Sequence, residues 1–259
     1  MLKYCSLYSG SSGNSFLIQS DNTNLLIDAG VSTKKIISAL EEFNLSGEQI
    51  DAILVTHEHI DHTKSLATLS NKYDIPIYAN LKTWLALIDI SNKISDINKK
   101  CFNTLENFKI GDFKISPFPV PHDAAEPCGF NISTSNKKIS IATDLGYISE
   151  ELLEHFKKSS SILLEANYDP DILKCSHYPY ILKQRISSKK GHLSNLSAGK
   201  AISNLHKFGL ENALLVHLSK ENNFPELAYE TVAGELSNCK NINLDVAPRN
   251  NPSKLFEVS

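Results

Sequence analysis

The stretch Thr56-His57-Glu58-His59-Ile60-Asp61-His62 limits what this chain can be more than any other. It follows directly on Asp51-Ala52-Ile53-Leu54-Val55, an apolar, β-branched run that reads as a buried strand. In extended chain His57 and His59 point the same way, because strand side chains repeat every two residues. A turn then lets Asp61 and His62 face a second point in space. That wiring suits two metal ions better than one. The plainer alternative is a polar loop that happens to be rich in histidine.

Other candidate donors also stand just beyond apolar runs. His122 follows Pro117-Phe118-Pro119-Val120-Pro121, where each proline stiffens the backbone. Asp144 ends the run Ile139-Ser140-Ile141-Ala142-Thr143, and Gly146 lets the chain turn away. His217 ends Leu214-Leu215-Val216. Any one of these alone is more often a hydrogen-bonded surface or core residue. Their recurrence at strand ends is what a site at the mouth of a sheet requires.

Apolar runs and turn signals predict strands over 2–8, 15–18, 25–27, 51–55, 76–79, 113–120, 129–133, 139–143, 162–165, 213–216 and 242–246. Helical spacing predicts helices over 33–43 (capped by Ser32 or Thr33), 66–72, 82–88, 149–157, 180–186, 195–208 and 225–236. The stretch 91–107 is polar and yields no clear element. Strands in runs with helices between them imply sheets covered by helices, an α/β (α+β) protein. No linker, repeat or low-complexity segment divides the chain, so residues 1–259 are expected to form a single domain.

Hydrophobic residues at 41% and charged residues at 21% are ordinary for a soluble globular protein. The net charge of −3 shows no general affinity for nucleic acid. Two bound divalent cations would reverse its sign, so an anionic substrate stays open. Cys5, Cys101, Cys128, Cys175 and Cys239 are scattered and form no C-x-x-C pair, which reads as reduced thiols. The N-terminus lacks a long apolar export segment, and no run approaches the roughly 20 apolar residues of a membrane span. A cytoplasmic protein is expected, with no membrane segment.

The order Asp28, His57-x-His59-x-Asp61-His62, His122, Asp144, His217 resembles that of the metallo-β-lactamase-fold hydrolases. The resemblance covers the whole chain and implies a four-layer αββα sandwich. It also implies two divalent ions, one on His57, His59 and His122 and the other on Asp61, His62 and His217, with Asp144 bridging them. Asp28 would orient the histidine loop without being a ligand. Nitrogen and oxygen donors without cysteine suit Zn2+ or Mn2+.

The C-terminal half resembles the phosphodiesterase branch of that family, in which a Glu and a His at the places of Glu165 and His192 form a proton-relay pair. Chemically the pair is sensible: cleavage of a phosphodiester leaves an alkoxide, whose departure an imidazolium assists. The plain readings are that Glu165 is a buried ion-pair member and His192 a helix N-terminal residue. The run from Tyr178 to Asn195, with Ser9-Gly10-Ser11-Ser12-Gly13-Asn14-Ser15 and Ile75-Pro76-Ile77-Tyr78-Ala79-Asn80, is similar to the YycJ/WalJ-like subfamily. Ser65 stands where a Gly is usual there, and Leu145 where many relatives have Thr.

That resemblance implies a cytoplasmic 5′-to-3′ DNA exonuclease of mismatch repair, working with repair proteins. Hydroxide bridging two metals would attack, with Asp61, Glu165 and His192 as catalytic residues. Alternatives are a tRNA-processing or small cyclic phosphodiesterase, a thioesterase of the glyoxalase II type, a true β-lactamase, or a non-catalytic metal-binding partner. The 26 residues between Glu165 and His192 leave little room for a long tRNA-gripping arm.

Two further features allow two readings each. The 9–14 loop is either a tight connection or a phosphate nest formed by Ser12, Gly13 and Asn14. Lys183, Arg185, Lys189 and Lys190, near Tyr178 and Tyr180, are either a solvated face or a track for backbone phosphates. On the second reading Arg185, Lys189, Lys190 and Ser194 contact substrate.

Overall fold

In the computed structural model, which describes residues 1–135 and 137–258, the strongest apolar runs are the innermost strands. The expected 1–259 domain also takes in Asn136 and Ser259, which lie outside the described residues. The strands are β1 (Leu2–Tyr8), β2 (Ser15–Gln19), β3 (Asn24–Ile27), β4 (Ala52–Leu54), β5 (Ile77–Asn80), β6 (Lys99–Phe102), β7 (Phe108–Ile110), β8 (Phe113–Pro119), β9 (Cys128–Ser133), β10 (Lys138–Ala142), β11 (Ser161–Glu165), β12 (Asn212–Val216), β13 (Asn243–Val246) and β14 (Phe256–Val258). The helices are α1 (Thr33–Glu41), α2 (Ile60–Thr63), α3 (Leu66–Tyr73), α4 (Leu81–Ala86), α5 (Ile88–Ser91), α6 (Glu150–Phe156), α7 (Pro170–Cys175), α8 (Tyr180–Ile186), α9 (Asn195–His206) and α10 (Pro225–Glu235).

The chain forms two compact units. The first comprises Met1–Pro117, Ala124–Cys128 and Pro248–Ser259. Its sheet has the order β14-β1-β2-β3-β4-β5-β6. It is antiparallel from β14 to β3 and parallel from β3 to β6. Leu25, Leu26 and Ile27 are all fully buried, as expected of a strand with both faces out of water. Ile36 and Leu40 of α1 and Leu66 and Leu69 of α3 pack with Leu17, Leu26, Ile53 and Ile77 in one apolar cluster.

The second unit comprises Phe118–Asp123 and Gly129–Ala247. There β13, β12, β11, β10 and β9 are neighbours in that order, parallel from β13 to β10 and antiparallel between β10 and β9. Ala198, Ile202 and Leu205 of α9, Val232 of α10 and Phe156 of α6 cluster with Ile162, Leu164, Ala213 and Leu215. The architecture is thus the expected α/β class, two mixed sheets flanked by helices. β8 pairs antiparallel with β7 and carries the chain out of the first unit.

The differences from expectation have local causes. The 91–107 stretch holds β6, an edge strand whose Lys100 and Cys101 are exposed, so no buried alternation marks it. β14 has only three residues and is defined by its partner β1. α7 does carry a sequence signature: Asp169 caps it, with Pro170 in the first turn. Among the described residues no helix is long and apolar enough to cross a membrane. The five cysteines are free thiols.

Ile202→Ala, fully buried in the α9 cluster, is expected to cost about 2–5 kcal/mol in urea unfolding. Leu196→Ala, 38% exposed on the same helix, should stay within about 0.5 kcal/mol.

Candidate active site

In the first unit, parallel pairing of β3 with β4 brings Ile27 opposite Leu54, so Asp28 and Thr56 follow adjacent strand ends. The Asp28 backbone is left-handed, at φ 62°, which is uncommon outside glycine. Its Oδ1 accepts from the Thr56 amide at 2.8 Å. Its Oδ2 accepts from Thr56 Oγ1 at 2.8 Å and from His62 Nδ1 at 2.7 Å. The single Thr56 hydroxyl hydrogen is thereby used, so its oxygen, 3.0 Å from His57 Nδ1, accepts from that ring. One buried carboxylate thus fixes two imidazoles, one directly and one through Thr56. Both present Nε2 as the basic nitrogen.

His57 Nε2 and His59 Nδ1 face each other at 3.1 Å, and His62 Nε2 lies 3.5 Å from Asp61 Oδ2. The turn after His59 is the single helical turn α2. Gly30 lets the main chain close over it: a Cβ there would fall 1.6 Å from the Asp61 carbonyl oxygen. In the 9–14 loop the Gly13 amide bonds to Gly10 O and the Asn14 amide to Asp61 O. The Gly10 amide bonds to Asn14 Oδ1. The tight-connection reading accounts for these three amides. Asn14 is buried, with Nδ2 3.1 Å from His62 Nε2, while Ser12 is exposed.

In the second unit, Asp144 follows β10 and His217 follows β12, and both are left-handed, at φ 54° and 57°. β10, β11 and β12 are parallel neighbours, so Asp144, Glu165 and His217 gather at one end. Fully buried Glu165 accepts four hydrogen bonds. Its Oε1 takes His192 Nδ1 at 2.8 Å and His217 Nδ1 at 2.7 Å. Its Oε2 takes the amides of Leu145 at 2.9 Å and Leu193 at 3.1 Å. Burial works to raise the Glu165 carboxyl, but the charge and hydrogen bonds of His192 and His217 hold it below its ordinary value. For His192 burial pulls downward, and the carboxylates of Glu165 and Asp144 together outweigh it, leaving the imidazole raised.

His122 donates Nδ1–H to Gly191 O at 3.0 Å and so presents Nε2. Burial keeps it below the usual histidine range, against the pull of Asp144. Gly191 is needed for close approach, since a Cβ would lie 2.2 Å from the carbonyl oxygens of Arg185 and Ile186. Asp144 Oδ1 is 3.5 Å from Nδ1 of both His192 and His217 and 3.7 Å from His122 Nε2. Asp144, Glu165, His192 and His217 offer donor atoms within 4.8 Å of one another. Because four donors already occupy Glu165, that carboxylate orients its neighbours. Imidazoles presenting Nε2 beside carboxylates form a donor set that fits divalent cations.

The remaining expected residues are placed as follows. Arg185 Nε pairs with Asp123 Oδ2 at 2.6 Å. Ser194 caps α9 by accepting from the Ser197 amide. Lys189 lies 5.9 Å from the Tyr147 ring centre, and Lys190 is exposed. Ser65 donates to the Val31 carbonyl, and Leu145 serves Glu165 through its amide, which any residue but proline supplies. Sequence reasoning missed Thr56, whose signal was its place directly before the histidines. It also missed Asn167, whose Nδ2 donates to the His217 carbonyl at 2.8 Å.

Residues 23–218 match the family described as a β-lactamase superfamily domain. The metallo-β-lactamase-fold protein YhfI from Bacillus subtilis aligns with a TM-score of 0.76 over 98% of this chain and 100% of that one, at 17% identity. A diphosphatase from the PhnP family aligns at 0.70 over 100% and 99%, at 19% identity. Such identities show the fold alone. The chain belongs to the metallo-β-lactamase superfamily of hydrolases. It is 40% identical over 237 residues to the exodeoxyribonuclease WalJ of Streptococcus pneumoniae serotype 2, spanning 91% of this chain and 88% of that protein. It is 37% identical over 232 residues to the exodeoxyribonuclease YycJ of Bacillus anthracis, spanning 90% and 88%.

Asp28→Asn should weaken metal binding by roughly 10–100-fold in a chelator competition, because the histidine tautomers are no longer fixed. Unchanged affinity would mean that the carboxylate only supports the loop.

Proposed function

We propose that this protein is a metal-dependent phosphodiesterase that degrades DNA as an exonuclease. The observation that carries the reading is the Glu165–His192 pair, with one ring nitrogen held by a buried carboxylate at 2.8 Å. The names of the relatives from S. pneumoniae and B. anthracis support the same substrate. The proposal takes His57, His59, Asp61, His62, His122, Asp144 and His217 as metal ligands, Asp28 as their orienting carboxylate, and residues 1–259 as one functional domain. Two divalent ions, Zn2+ or Mn2+, would make water nucleophilic at neutral pH and offset phosphate charge.

The protein's own residues then act as follows. Glu165 Oε1 accepts a hydrogen bond from the Nδ1–H of His192, so Nε2 carries the exchangeable proton. The His192 imidazole, whose affinity for a proton the Glu165 carboxylate raises, delivers that proton from Nε2 to the leaving oxygen. His192 is 20% exposed at its side chain while Glu165 is fully buried, so the acid reaches substrate and its partner does not. Lys189 and Lys190 lie just before it in the chain and attract the phosphate backbone. Scattered free thiols support a cytoplasmic location, and digestion from a 5′ end would suit the protein to mismatch repair.

The test is a panel of 5′- and 3′-labelled single- and double-stranded DNA, RNA, a cyclic dinucleotide, a bis-aryl phosphodiester, a thioester and a β-lactam. Stepwise loss of nucleotides from DNA is expected. Cleavage of the thioester or lactam alone would sink the reading. His192→Ala should lower kcat on DNA by roughly 10²–10⁴-fold with metal content unchanged. Loss of metal in that variant would instead make His192 a ligand.

A further inference from the structure

A cleft of about 480 Å³ on the second unit has no part in the chemistry above. It is lined by Tyr168, Leu173, Lys174, Tyr178, Tyr180 and Lys183, on and around α7 and α8. Its size falls within the roughly 300–1,000 Å³ of small-ligand sites. Tyr168 is 8% exposed and Tyr180 is 73% exposed, so one ring is set into the wall and the other stands at the rim. Lys183 Nζ donates to the Lys174 carbonyl at 2.7 Å, tying α8 to the end of α7. Gln184 Nε2 donates to the Tyr180 hydroxyl at 2.8 Å and steadies that ring.

The lining chemistry selects a ligand. Tyrosine rings and a leucine suit a flat, apolar group, and two ammonium groups suit a neighbouring anion. Among the described lining residues none is acidic. A phosphate alone has no use for the rings, and an apolar peptide has no use for unopposed lysines. A nucleobase with its phosphate uses both, since bases of any sequence stack on aromatic side chains while lysines track the backbone.

The cleft is also joined to the segment that carries His192. Tyr168 pairs with Ser194 in a β-bridge. The Tyr168 carbonyl accepts from the Asn195 amide at 3.0 Å, and the Asn167 amide donates to Leu193 O at 2.8 Å. At the other wall α8 leads into His192, whose amide bonds to Ile186 O at 2.8 Å.

The geometry points to a nucleobase subsite: the cleft grips one unpaired base of the DNA strand and sets which phosphodiester meets His192. This inference rests on the phosphodiesterase reading above. It adds a residue-level reason for processing a single strand in register.

The experiment uses Mn2+-loaded full-length protein and single-stranded oligonucleotides carrying one abasic nucleotide at successive positions from the cleaved end. At one position the missing base should raise KM by roughly 5- to 100-fold, the scale of one base–aromatic stack. Tyr178→Ala and Tyr180→Ala should erase that dependence, and Tyr178→Phe and Tyr180→Phe should keep it. Equal cleavage of every abasic substrate by the native protein overturns the subsite and leaves the nuclease reading standing. So does an alanine variant that keeps the full penalty. Failure to cleave any DNA brings down both. The abasic scan of the native protein decides even where a tyrosine variant does not fold.

Discussion

Two buried carboxylates, each holding two imidazoles, are the constraint on which the rest of the structure depends. Asp28 holds His62 directly and His57 through the Thr56 hydroxyl. Glu165 holds His192 and His217 on a single oxygen. A buried carboxylate is costly unless its oxygens are satisfied, and in both cases backbone amides complete the set. The result in each unit is a pair of rings whose Nδ1 is engaged, so that Nε2 is the nitrogen each ring turns toward its other neighbours. Each imidazole therefore enters the site with its tautomer decided by the fold.

The backbone shows how that arrangement is reached. Asp28, Asp144 and His217 each follow a strand of a parallel array, and each adopts a left-handed conformation that most side chains avoid. Apolar strands fix where the chain emerges, and the left-handed residue then turns it sharply at the point of emergence. Gly30 and Gly191 complete the shape by admitting main chain where a Cβ would collide with carbonyl oxygens. Core packing and site geometry are thus one problem, because the buried strand sets the register of the residue that follows it.

This division also explains what could be read in advance. His57, His59, Asp61, His62, His122, Asp144 and His217 were legible because each stands beside a strongly apolar run, and such runs survive in a single sequence. Glu165 and His192 became legible only through resemblance, since 26 residues separate them and no local pattern links them. The sharing of Glu165 by His217, and the passage of Asp28's influence through Thr56, join residues distant in the chain and leave no periodic trace. β6 and β14 escaped because short edge strands take their definition from partners. The aromatic cleft of α7 and α8 had only scattered hints in Tyr178, Tyr180 and Lys183, since helices must fold together before their side chains line one space.

The most direct test of the central claim is Glu165→Gln, followed by metal titration and by kcat on DNA at saturating metal. An amide cannot accept from two rings on one oxygen and from two amides on the other. The account predicts weaker metal binding, through His217, together with a fall in kcat that excess metal does not restore, through His192. Native affinity and native kcat in that variant would contradict it.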